Sequence, residues 1–156
     1  MHRYQLLIEY VGTNFYGWQI QSKGKSIQKL IQKKLSKLLK EEVSLVGSGR
    51  TDSGVHAIEQ SAHFDCKKEI QNLKKFLKSI NHFVNDMRVS IINIKKKKLN
   101  FHARFSAKQR VYKYIIFNRS SRPSIERERG WHIIKELDIS LMKKGAKKLL
   151  GTKDFS

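Results

Sequence analysis

Residues 3–10 alternate in polarity, with Tyr4, Leu6, Ile8 and Tyr10 on one face and Gln5, Leu7 and Glu9 on the other. Period two with aromatic and β-branched side chains predicts a strand, ended by Gly12, Thr13 and Asn14. From Ser26 the period lengthens. Ile27, Leu30, Ile31, Lys34, Leu35 and Leu38 recur at helical spacing with lysines on the remaining face. Ser26 suits the N-cap, although Lys29 at the third helical position breaks the capping-box pattern. A short strand over 43–46 leads into a glycine-rich loop, 47–54, and another strand is expected over 61–65. Ile70, Leu73, Leu77 and Ile80 mark a second amphipathic helix.

Residues 89–94 predict a further strand, and the lysines at 95–98 a solvated turn or strand edge. Residues 111–117, dense in Tyr, Ile and Phe, carry the strongest strand signal in the chain. The stretch 118–128 holds the only proline, Pro123, and predicts an exposed loop. A last helix fits 139–150, with Asp138 as N-cap and Gly151 just past its end. This order predicts an α+β fold with a largely antiparallel sheet and helices on one side.

Charge narrows the function. The chain of 156 residues carries 33 Lys+Arg against 13 Asp+Glu, a net charge of +20. Its 39% hydrophobic content can build a core, so it is not a disordered basic tail. Such an excess calls for a polyanionic partner: RNA, DNA or an anionic membrane. No apolar stretch is long enough to span a bilayer, the N-terminus lacks a signal-peptide pattern, and the single Cys66 excludes an internal disulfide framework. These features point to a cytoplasmic setting and a nucleic-acid partner.

The most unusual segment is GSGRTDSGVHA, residues 47–57. A Walker phosphate loop requires Lys and then Ser or Thr after the second glycine, and here Gly54 is followed by Val55 and His56. What remains is Arg50 and Asp52 in one loop, an arginine able to hold a phosphate and a carboxylate able to act as nucleophile or base. On spacing alone an Asp in such a turn is more often a turn-former bonded to its own backbone, with Arg50 a solvated charge or a partner to Asp52. In residues 101–116, FHARFSAKQRVYKYII, aromatics interleave with Arg and Lys. That pattern fits base stacking beside phosphate contacts, and also fits a strand buried in a core. The six histidines show no metal-ligand spacing, and no serine sits in a nucleophile elbow.

Several of these segments together resemble the tRNA pseudouridine synthase A family. The catalytic loop is matched by GRTDSGVHA, the N-terminal segment by EYVGTNFYGWQIQ, and the following helix by SIQKLIQKKLSKLL. HFD at 63–65, FHARFSAKQRVYKYII and the closing LLGTKDFS follow in the family's order. The resemblance implies isomerisation of uridine to pseudouridine in the tRNA anticodon arm, positions 38 to 40, with no metal or cofactor and commonly as a homodimer. It makes Asp52 the nucleophile, with Arg50 taking the place of the extruded base and pairing with Asp52, and Tyr112 stacking on the flipped uracil. Glu59, Val84 and Lys153 depart from the family's usual Gly, Pro and His. Family members continue past the final motif with further strands and a basic partner for the catalytic aspartate. The resemblance thus places an N-terminal α+β domain at 1–100, carrying loop 47–57, and the start of an incomplete second α+β domain at 101–156. The rival readings are a non-catalytic basic RNA-binding remnant of such an enzyme and a ribosome-associated structural protein.

Overall fold

In the computed structural model the alternation at the N-terminus becomes β1, His2–Tyr10, the strand around which a first unit is built. After it come α1 (Ile27–Leu39), β2 (Leu45–Gly47), β3 (Ala57–Cys66), α2 (Leu73–Val84) and β4 (Val89–Lys97). The four strands form one sheet in the order β2-β3-β1-β4. Every pairing is antiparallel, with Tyr4 opposite Phe64 and Leu6 opposite both Ala62 and Ile94. Residues 1–154 are described by the structure, and they divide into Met1–Arg110 and a second unit beginning at Val111.

The inward face of β1 carries the alternation's apolar set: Tyr4, Leu6, Ile8 and Tyr10 are buried. They pack against Ile27, Ile31 and Leu35 of α1 and Phe76, Ile80 and Val84 of α2, so both helices lie on one face of the sheet. Each such burial contributes roughly 1.5–3 kcal/mol. Ser26 caps α1 by accepting the Lys29 N–H at 3.3 Å, and Asn72 caps α2 through the Lys75 N–H at 2.8 Å. The second helix therefore starts at Leu73. Ile70 lies ahead of it, donating its N–H to the Tyr4 hydroxyl at 2.9 Å. β4 runs on through Lys95 and Lys97, which pair with Gln5 and Arg3. Backbone pairing with β1 is indifferent to the lysine side chains, and lysines on an edge strand discourage further pairing.

The second unit corrects the strongest strand expectation. Residues 111–115 form no strand. Only Ile116–Asn118, β5, is extended and paired, in parallel with β6, Trp131–Ile133. Val111, Tyr112, Tyr114 and Ile115 are exposed. A strand exists only where a neighbour shares its backbone bonds, and among the described residues Ile115 alone of 111–115 has such a bond, its carbonyl accepting the Trp131 N–H at 2.8 Å. The pair is secured by Asn118, whose amide donates to the carbonyls of Ile133 and Lys135 and accepts the Leu137 N–H. Helix α3, Ile139–Lys148, follows with Asp138 accepting the Leu141 N–H at 2.9 Å. The final motif's Phe155 and Ser156 lie outside the described residues.

Candidate active site

Strands β2 and β3 present the glycine-rich loop at one end of the sheet. Its downstream half is clasped by residues 10–18. The Tyr10 hydroxyl lies 2.9 Å from the Thr51 hydroxyl, and the Trp18 N–H donates to the Thr51 carbonyl at 3.0 Å. The Phe15 carbonyl accepts both the Gly54 N–H and the Ser53 hydroxyl, and Gly12 N–H donates to His56 Nδ1 at 3.0 Å. The contact is too close for side chains at two glycines. A Cβ on Gly12 would stand 2.0 Å from the Val55 carbonyl oxygen, and one on Gly17 2.3 Å from that of Thr51. Gly17 is also in the left-handed region, at φ +79°, which only glycine enters freely. The pattern G-T-x-F-x-G-W therefore serves as a mould for the loop. Burial pushes the Tyr10 hydroxyl pKa up and the Thr51 bond works against that shift.

The upstream half is held differently. Ser48 N–H donates to the Ser61 carbonyl at 2.8 Å, and the Gln60 amide to the Gly49 carbonyl at 2.7 Å. The Arg110 guanidinium donates to the Ser48 carbonyl at 2.7 and 3.3 Å.

Between these supports Arg50 and Asp52 are exposed. The Asp52 carboxylate makes no hydrogen bond or ion pair among the described residues; the local turn is closed instead by the Val55 N–H on the Asp52 carbonyl at 3.2 Å. The turn-former alternative, which would occupy the carboxylate, does not describe this loop. The expected Arg50–Asp52 pair is likewise absent among the described residues. The outcome is a supported backbone bearing a carboxylate and a guanidinium whose side chains make no hydrogen bond or ion pair among the described residues. Tyr112 belongs to the second unit, where it is 64% exposed.

The structure adds a polar cluster on the sheet face opposite the helices. Arg3 grips Asp65 through two bonds of 2.7 Å, and its remaining nitrogen donates to the carbonyls of Leu99 and Phe101 at 2.6 Å. The Arg3 hydrogen bond holds the Asp65 carboxyl below its ordinary range, and the same bond raises Arg3. His63 is buried, and its Nδ1 accepts the Ala103 N–H at 3.1 Å. Burial, with Arg3 and His102 nearby, pushes the His63 pKa down to about 4. This cluster joins positions more than 60 residues apart, so only the alternation of Arg3 and Gln5 and the HFD segment hinted at it. Among the described residues no three His, Cys, Asp or Glu side chains are placed to hold a metal ion. No helix among them is long and apolar enough to cross a membrane.

The family model for tRNA pseudouridine synthase matches residues 6–106, which include the loop, its mould and His63 and Asp65 of the polar cluster. Over 156 residues the chain is 80% identical to tRNA pseudouridine synthase A of Pelagibacter ubique (strain HTCC1062), covering 100% of this chain and 63% of that protein. It is 40% identical over 157 residues to tRNA pseudouridine synthase A of Anaplasma marginale (strain Florida), covering 99% of this chain and again 63% of the relative. The chain thus spans somewhat under two thirds of the length of the curated relatives it matches.

Proposed function

The chain belongs to the tRNA pseudouridine synthase family, and from that premise we propose that it takes part in isomerising uridine to pseudouridine in tRNA, with Asp52 as the nucleophile. The observation that carries this reading is the free Asp52 carboxylate on a loop whose backbone is bonded on both sides. A nucleophile gains most when its position is fixed before the substrate arrives and its own lone pairs are not already committed. In the isomerisation the Asp52 carboxylate bonds to the target nucleotide, the glycosidic carbon–nitrogen bond breaks, the detached uracil turns, a carbon–carbon bond forms at C5, the bond to Asp52 is broken again, and the C5 proton leaves as a ring nitrogen regains one. Substrate and product have the same composition, so the balance calls for no oxidant or second substrate. The target nucleotide must leave its stack, which costs a few kcal/mol. Arg50, exposed beside Asp52, is suited to fill the vacated space, and Tyr112 to stack on the flipped base. The excess of 20 positive charges supports tRNA as the partner. Modification in the anticodon arm at positions 38 to 40, a homodimeric assembly and a cytoplasmic setting complete the reading.

Release of tritium from C5-labelled uridine in unmodified tRNA tests it directly. Asp52→Asn keeps size and hydrogen bonding but removes the nucleophile, so turnover should vanish in the full chain while tRNA binding persists. Turnover retained in Asp52→Asn would refute the assignment. Mapping pseudouridine by carbodiimide modification and primer extension would show whether positions 38 to 40 are the targets.

A further inference from the structure

We propose that residues 99–110 act as a strap that positions the Asp52 loop, with Arg110 as the positioning residue at the loop and Arg3 and His63 as the strap's anchors on the sheet. This rests on the reading of Asp52 as the nucleophile. The strap has no regular secondary structure of its own, so its place depends on side chains that reach it. Arg3 supplies two bonds to its first turn, at the carbonyls of Leu99 and Phe101, while Asp65 holds the guanidinium in orientation. His63 supplies the third by accepting the N–H of Ala103, which is itself buried. Within the strap, the Ser106 N–H returns to the His102 carbonyl at 2.7 Å and the His102 ring stacks on Phe105 at 4.4 Å.

At the far end Arg110 turns back onto the loop. Its guanidinium directs two N–H groups at the Ser48 carbonyl, and one of these also reaches the Arg104 carbonyl at 3.3 Å. Arg110 is exposed. An exposed arginine in a chain this basic would ordinarily be solvated, whereas here its fork is committed to the Ser48 carbonyl oxygen, two residues before Arg50 and four before Asp52. The hydrogen bonds from the mould formed by residues 10–18 reach the loop from Thr51 onward, and upstream the mould meets it only where the Trp18 ring packs on Gly47. Beyond the Ser48 N–H on the Ser61 carbonyl, the Gln60 amide that β3 extends to the Gly49 carbonyl and the Trp18 ring on Gly47, Arg110 is what fixes the upstream arm. A lysine would keep the charge but, as a point donor, would not reproduce the fork.

The test compares Arg110→Lys with the parent full chain, using tRNA uridine isomerisation kinetics and amide hydrogen exchange. With the charge kept, KM for tRNA should stay within about twofold while kcat falls about tenfold. Exchange at Ser48, whose N–H is bonded to the Ser61 carbonyl, should quicken about tenfold, with the inner strands unaffected. Arg3→Lys, remote from the loop, should quicken exchange both in 99–106 and at Ser48. An unchanged kcat, a loss confined to KM, or loop exchange unaltered in both variants would overturn the strap. The exchange measurement stands without any assay of turnover. An active Asp52→Asn enzyme would therefore sink the proposed chemistry, and would be distinguishable from failure of the strap.

Discussion

Acidifying the protein from pH 7 to pH 5 should destabilise the first unit through His63. The imidazole titrates at about 6.5 in an unfolded chain and at about 4 in the fold, because burial and the neighbouring Arg3 and His102 disfavour its charged form. Its Nδ1 must also stay unprotonated to accept the Ala103 N–H. The folded state therefore binds fewer protons than the unfolded state across this window. The stabilisation is complete above about pH 6.5, declines as the pH falls, and is exhausted near pH 4. At about 1.4 kcal/mol per pH unit the full effect is on the order of 3 kcal/mol, with about 2 kcal/mol already lost at pH 5. That is a large share of an ordinary domain's stability. Urea unfolding at pH 7, 6 and 5 measures it, with His63→Gln as the non-titrating reference. The other five histidines are common to both proteins and cancel in the comparison. The parent should lose about 2 kcal/mol more than the variant between pH 7 and pH 5. Parallel stability curves would show that His63 is not held neutral by the fold.

Gly17→Ala combines a left-handed backbone with a Cβ 2.3 Å from the Thr51 carbonyl, so it should cost at least about 2 kcal/mol in thermal or urea unfolding. A loss below about 0.5 kcal/mol would mean that the mould yields easily. Tyr10→Phe removes the partner of the Thr51 hydroxyl and should cost about 1 kcal/mol; no change in melting or in turnover would reduce Tyr10 to packing. The Cys66 thiol is pushed up to about 11, first by burial and then by Glu41 and Asp65, so a thiol reagent at pH 8 should label it only at the rate of unfolding. Rapid labelling of native protein would contradict that burial. Affinity for tRNA should fall steeply with salt as lysine and arginine contacts release counterions, and a flat titration would remove nucleic acid as the partner.

The elements foreseen most closely are those whose signal is local. The alternation in residues 3–10 sorts side chains by face whatever β1 pairs with, and Ser26 and Asp138 cap the residues directly after them. The loop 47–57 is conspicuous for the same reason, since its glycines, Arg50 and Asp52 are contiguous. Sheet membership is not local. The apolar run 111–117 has strong strand propensity, yet a strand needs a neighbour's backbone, and pairing falls only on β5 with β6. Conversely, Lys95–Lys97 have poor propensity and are extended because β1 lies alongside. The Asp52 loop follows the same division. Its residue types are legible in the chain, whereas the supports that leave the carboxylate free come from Tyr10, Phe15, Trp18, Gln60 and Arg110. Arg3 and Asp65 stand 62 residues apart and meet only because β1 and β3 pair in one register. Register is set by burying one face of every strand at once, a condition that belongs to the assembled sheet and to no single segment of it.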